Sequence, residues 1–218
     1  MTTIYKNVYV KETATIAGEY EANGPLKKYF DRTYTKDLYF GETSFEKAEI
    51  KLLRDVTSLI LRKSRLKEKE VDVIISGDLS NQITASDYAM RDFDIPFLGI
   101  YNDCATSSEG MIIAANFIEG KIYKKCLVTT SSHNTAAEKQ YRNPTEYGTP
   151  KPDTATFTVT GGAAILLTNE KTNIKVTSST IGKVIDKNTT DVNHMGAVMA
   201  PAAADTIYRH LTDLKRAP

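Results

Sequence analysis

Apolar and polar residues alternate from Tyr5 to Val10, the period of a half-buried strand, and predict an opening strand over 5–10. Residues 18–42 break that rhythm. They carry Gly and charge, yet also Tyr20, Tyr29, Phe30, Tyr34, Tyr39 and Phe40. Disordered segments are poor in aromatics, so a long ordered excursion is expected. At Phe45 the period becomes helical, with Phe45, Ala48, Leu52, Val56, Leu59 and Ile60 on one face. Thr43 and Glu46 form a T-x-x-E box that predicts the helix start. Arg62, Lys63, Arg65, Lys67 and Lys69 suit its C-terminal end. Glu68 and Glu70 interrupt this run, which favours a solvated end over a membrane-surface patch.

The rest of the chain alternates element types. A strand is predicted over 71–76, a turn at Gly77-Asp78 and a short helix over 84–92. The apolar run 96–101 predicts a buried strand. Thr106 and Glu109 form a second T-x-x-E box, opening a helix that Gly120 would cap. A strand follows over 124–131, then a long polar loop over 132–153 of the kind that carries function. Residues 154–167 read as a long strand bent at Gly161-Gly162, and 174–185 as a further strand. Pro201 suits a first helical position, ahead of Ala204, Ile207, Tyr208, Leu211 and Leu214 at helical spacing. The pattern implies an α/β layered fold with a mostly parallel sheet.

Composition narrows the classes. A chain of 218 residues with 41% hydrophobic content suits one compact domain. A formal charge of +1 implies no bulk attraction to nucleic acid. With two cysteines, no signal-like N-terminus and no long apolar run, a disulfide framework, secretion and a membrane span are not expected. No G-x-G-x-x-G or G-x-x-x-x-G-K-[ST] string signals a nucleotide. The three histidines and two cysteines show no metal-ligand spacing, so no cofactor or metal centre is expected.

Candidate chemistry centres on Cys104. It lies between a predicted strand and a helix N-terminus, where partial positive charge and free N–H groups favour a thiolate. The plain reading is that most free cysteines are small core residues, and that is the reading for Cys126 in its strand. His133 follows a strand end beside Asn134; it either faces a site or is an exposed or helix-capping residue. His210 reads as a surface residue, and His194 receives no role. Asp78, Asn81 and Gln82 follow a strand end, where ligand groups collect in open parallel sheets, although Asp and Asn also favour turns for purely local reasons.

Two strings carry a resemblance. Asn102-Asp103-Cys104-Ala105-Thr106-Ser107 before a helix resembles the nucleophile turn of the thiolase-like condensing enzymes. Gly161-Gly162-Ala163-Ala164-Ile165-Leu166-Leu167 resembles the strand that closes each half of those enzymes. Further strings resemble the stage V sporulation AD family of endospore-forming bacteria. Among them are Gly24-Pro25-Leu26, Tyr29-Phe30-Asp31, Asp37-Leu38-Tyr39, Asn81-Gln82, Ser131-Ser132-His133-Asn134, Pro144-Thr145-Glu146-Tyr147-Gly148 and Lys151-Pro152-Asp153. The resemblance implies a thiolase-like N-terminal half, a layered α-β-α arrangement with a mostly parallel mixed sheet, carrying the inserted excursion at 18–42.

It also implies binding of dipicolinic acid (pyridine-2,6-dicarboxylate) for its uptake into the developing spore. A homodimer, contacts with other stage V sporulation A-operon membrane proteins, and a peripheral place on the cytoplasmic side of the spore inner membrane follow from it too. Such chains have two similar halves, and the second, which supplies the catalytic His or His and Asn, is expected to lie outside this sequence. Asp103 puts a carboxylate beside Cys104, which disfavours a thiolate. The expectation is therefore a non-catalytic binding protein. Its ligand residues would be Cys104, Asp78, Asn81, Gln82, His133, Asn134, Arg142 and Lys151, with Arg142 and Lys151 supplying charge. Calcium, as the dipicolinate complex, would meet Asp78 or Asp103. The rivals are an acyl-transfer enzyme using Cys104 and a docking scaffold for spore membrane proteins.

Overall fold

A computed structural model describes residues 2–142, 158–190 and 194–217. The chain forms two compact units, one of residues 7–175 and one of residues 1–6 with 176–218. In the small unit, β1 (Thr2–Ile4) pairs antiparallel with β9 (Ser178–Thr180), and α6 covers Met195–Asp213. Thr2 donates through its N–H and its hydroxyl to Asp213 Oδ2, at 3.0 and 2.8 Å, which ties the first strand to the end of α6.

The large unit holds β2 (Tyr9–Ala17), α1 (Glu19–Ala22), β3 (Arg32–Thr33), α2 (Phe45–Ser64), β4 (Val73–Gly77), α3 (Thr84–Met90) and β5 (Phe97–Gly99). It continues with α4 (Thr106–Glu119), β6 (Lys125–Ser132), α5 (Asn134–Arg142), β7 (Gly161–Thr168) and β8 (Ile174–Lys175). Its sheet has the order β3-β2-β7-β6-β4-β5, with β8 also on β2. Strands β3, β2, β6, β4 and β5 run one way, and β7 and β8 run against them. Every residue of β4 is buried, as a strand covered on both faces must be.

Helix α2 supplies the largest apolar face. Ala48, Leu52, Leu53, Val56 and Ile60 join Ala14 and Ile16 of β2, Ile74 of β4, Leu127 of β6 and Leu166 of β7 in one core. A side chain at Gly162 would meet Val56 Cγ1 at 3.2 Å and Leu52 Cγ at 3.3 Å, so the glycine lets α2 lie close on β7. The Gly161-Gly162 pair keeps the ladder with Ser132 and Ser131 and starts the strand without bending it. The irregularity falls in β2, between Val10 and Glu12.

Other boundaries also differ from the sequence reading. The strand expected over 5–10 falls mostly between two strands, as β1 ends at Ile4 and β2 runs over Tyr9–Ala17, where Ala14 and Ile16 turn inward. Ser44, not Thr43, caps α2, its hydroxyl accepting the Lys47 N–H at 3.2 Å. Strand β5 is exposed, because among the described strands only β4 pairs with it. The first part of the expected loop at 132–153 is helix α5, whose only inward residues after Asn134 are Ala136 and Ala137, too small to register as an apolar stripe. Only β8 and β9 form within 174–185. Pro201 lies inside α6, six residues after its start, at the cost of one helical hydrogen bond.

At Gly77 the end of β4 passes so close to the chain leaving β5 that a Cβ would sit 2.2 Å from the Ile100 carbonyl oxygen. We expect Gly77→Ala to destabilise the fold by about 1–3 kcal/mol, the usual cost of overpacking, read as a lowered urea midpoint.

Candidate ligand site at the Cys104 turn

The ladder ends where the Ile100 N–H donates to Ser76 O at 2.9 Å. The chain then turns through Asn102 and a short 3-10 turn over Asp103–Ala105 before entering α4. Asp103 has a φ of 43°, in the left-handed region that Asp tolerates better than most residues. Thr106 stitches the turn. Its hydroxyl accepts the Asn102 N–H at 3.1 Å and donates to the Asp103 carbonyl at 2.9 Å. The expected capping box with Glu109 does not form, because that hydroxyl is engaged upstream and no side chain caps α4. Gly110, Ala114 and Ala115 bury against the sheet, and a Cβ at Gly110 would reach Val128 Cγ1 at 2.6 Å. Small residues therefore seat α4 and aim its first turn. Cys104 stands exposed there, whereas Cys126 is core, with its thiol pushed up to about 12 by burial and then by Asp72.

Two tyrosines that the sequence reading did not single out meet this turn. Tyr141, in the last turn of α5, donates its phenol proton to Asp103 Oδ1 at 2.5 Å. The Tyr101 hydroxyl lies 2.7 Å from that of Tyr141. Burial, then the bonds to Asp103 and Tyr101, hold the Tyr141 phenol protonated, above its ordinary range. Nothing in local periodicity marks this pair, since Tyr101 and Tyr141 lie 40 residues apart.

The other expected site residues separate. Asp78 is 1% exposed, and its two oxygens accept the Ser80 N–H at 2.8 Å and the Ser86 N–H at 2.7 Å. It is the local turn-and-cap residue, with no oxygen open to an ion. Among the described residues no group of three His, Cys, Asp or Glu side chains is placed to hold a metal. Asn81 lines a cavity of about 380 Å³ with Glu46, Ile50, Thr84 and Lys139, between α2, α3 and α5. Gln82 is exposed beside it, with a φ of 58°. His133 is neither exposed nor facing an open site. It is fully buried, with Nε2 2.7 Å from the Leu38 carbonyl and its ring against Phe40 and Phe45. Burial lowers its pKa, so the ring is neutral and anchors the 18–42 excursion. Asn134 donates through its N–H to Thr160 Oγ1 and through its amide to the Thr158 carbonyl, which ties α5 to the approach to β7. The Arg142 side chain and Lys151 lie outside the described residues.

Glu49 is the acid that sequence reading missed. It falls at helical spacing on the core face of α2, between Phe45 and Leu52, and that misplaced charge was the available signal. It is 1% exposed and accepts the Ser131 hydroxyl at 3.1 Å. Burial, then the charge of Asp78, pushes its pKa up to about 8. A carboxyl whose folded pKa is raised stabilises the fold fully below its unfolded value, and that stability is lost as pH rises toward the folded pKa. We expect wild-type stability to fall between about pH 4.5 and about pH 8 through this group. Glu49→Gln should flatten that slope in urea titrations run across the same range.

The comparisons with known proteins fit this geometry. The family model for stage V sporulation protein AD (SpoVAD) matches residues 1–218. Stage V sporulation protein AD of Bacillus subtilis (strain 168) is 44% identical over 209 residues, covering 96% of this chain. The chain spans 62% of the length of that curated relative. Cerulenin-bound OleA of Xanthomonas campestris superposes with a TM-score of 0.66 at 13% identity, covering 99% of this chain and 73% of that one. 3-Oxoacyl-(acyl carrier protein) synthase III, FabH, from Xanthomonas oryzae gives 0.62 at 14% identity, covering 99% of this chain and 75% of that one. At such identities the likeness shows the fold, which is thiolase-like. With a family match running the length of the sequence, the chain belongs to the stage V sporulation protein AD family.

Proposed function

We propose that this chain binds dipicolinic acid, free or as its calcium complex, without chemical turnover, in the service of dipicolinate uptake by the developing spore. The observation that carries this reading is the surroundings of Cys104. The exposed turn resembles in sequence the nucleophile turn of condensing enzymes, yet the side chains that hydrogen-bond within it are hydroxyls and a carboxylate, from Thr106, Asp103 and Tyr141. Hydroxyl donors and the N–H groups opening α4 suit a flat dianion.

Acyl transfer through Cys104 is the second reading. It is favoured by the exposure of the thiol at the N-terminus of α4 and by the synthase fold. A third role, docking spore membrane proteins at the cytoplasmic face of the inner membrane, is favoured by Tyr20, Leu26 and Tyr29, exposed on the excursion. No helix among the described residues is long and apolar enough to cross a membrane, so such a role would be peripheral.

Calorimetric titration with dipicolinate, with and without calcium, tests the first reading. We expect saturable binding that persists in Cys104→Ala, with stability within about 0.5 kcal/mol of wild type because the thiol is exposed. Acyl transfer from a thioester that vanishes in Cys104→Ala would overturn it in favour of the second.

Strand β5 offers Phe97 and Leu98, each 38% exposed, along an edge open among the described strands. Such an edge favours self-pairing. We expect sedimentation to show a dimer that Leu98→Lys weakens; a stable monomer at high concentration would remove the dimer from this reading.

A further inference from the structure

Three polar groups meet at the Cys104 turn: Tyr101 after β5, Asp103 in the turn and, about 40 residues on in sequence, Tyr141 at the end of α5. A phenol has one proton. Tyr141 gives its proton to Asp103 Oδ1 at 2.5 Å, so its oxygen can only accept from Tyr101, 2.7 Å away. The chain therefore runs Tyr101 to Tyr141 to Asp103 and ends on a carboxylate. All three side chains are exposed, and both tyrosines are 47% accessible. An exposed carboxylate can be solvated by water alone, but this one draws two aligned phenols, one residue before an exposed thiol at the start of α4.

We propose that these phenols form a carboxylate subsite at the Cys104 turn and that Asp103 occupies it as an internal surrogate, which a bound ligand's carboxylate displaces. The proposal rests on the reading that the ligand is an aromatic carboxylate. Tyr101 and Tyr141 then supply hydroxyl donors to one carboxylate, and their rings flank a flat ligand. Asp103 opposes binding twice, by competing for the Tyr141 proton and by like-charge repulsion. A mere brace would behave differently: losing any of the three residues would lower stability and leave affinity alone.

The test is calorimetric titration of the chain with pyridine-2,6-dicarboxylate, pyridine-2-carboxylate and pyridine. Wild type is compared with Asp103→Ala, Asp103→Asn, Tyr141→Phe and the Tyr101→Phe/Tyr141→Phe double variant, with thermal melts confirming that each is folded. We expect Asp103→Ala to bind both carboxylates about tenfold more tightly, and the double phenylalanine variant about tenfold more weakly, each the scale of one charge-assisted hydrogen bond. Asp103→Asn, which tolerates the left-handed backbone, should fall between wild type and Asp103→Ala, and it carries the test if the alanine variant does not fold. Pyridine should not discriminate among the variants. Binding by wild type that no variant alters would overturn the subsite and leave the ligand reading standing. Weaker binding in Asp103→Ala would make Asp103 a ligand contact and overturn the surrogate. Binding gained only when Asp103 is removed supports the subsite. Absence of binding in wild type and Asp103→Ala alike overturns both.

Discussion

Everything at the candidate site hangs on one close approach, between Gly77 and the Ile100 carbonyl. Strand β4 is buried on both faces, and its last residue lies where no Cβ fits. The Ile100 N–H completes the ladder to Ser76 at the same point. That crossing determines where the chain leaves β5, and so where the turn over Asp103–Ala105 starts and where α4 points. The opposite wall of the crossing is Thr106 Cγ2, 2.6 Å from the same hypothetical Cβ. The threonine that packs on Gly77 is also the one whose hydroxyl stitches Asn102 to Asp103. Packing and turn geometry are thus two faces of one residue.

Polar groups below the turn are arranged to hold backbone. Asp78 closes the chain leaving β4 onto the first turn of α3, with both oxygens on N–H groups. Glu49 reaches the same region from α2 and stays neutral, first because burial disfavours its charged form and then because an ionised carboxyl would repel Asp78. His133 performs the equivalent task for the aromatic excursion, where Tyr34 stacks on Phe40 and Tyr39 on Phe45. Their burial leaves the exposed Tyr101, Asp103, Cys104 and Tyr141 as the chemically available set at the turn.

The fold and the family membership carry different information. The fold, shared with OleA and FabH at 13–14% identity, sets Cys104 in an exposed turn between β5 and α4. Family membership rests on the sequence itself, at 44% identity over 209 residues to the Bacillus subtilis protein.

Long periodic elements and the turn at Cys104 were legible in the sequence. The α2 stripe, the apolar start of β4, the small-residue face of α4 and the placement of Cys104 between strand and helix all follow from local pattern. Resemblance in the motif strings reached the family as well. Local pattern missed what depends on partners. Strand β5 reads as buried because its residues are apolar, but sheet order puts it on an edge. Helix α5 reads as loop because two alanines suffice to seat it. Asp78 took the local turn role its residue type allows, but the functions of Glu49 and His133 could not be assigned from type and spacing, since each is decided by a group from another part of the chain: Ser131 Oγ and Leu38 O. The Tyr101–Tyr141–Asp103 chain is the clearest case. Only the fold brings the last turn of α5 against the Cys104 turn, and hydrogen bonds between side chains so far apart in sequence leave no periodic trace.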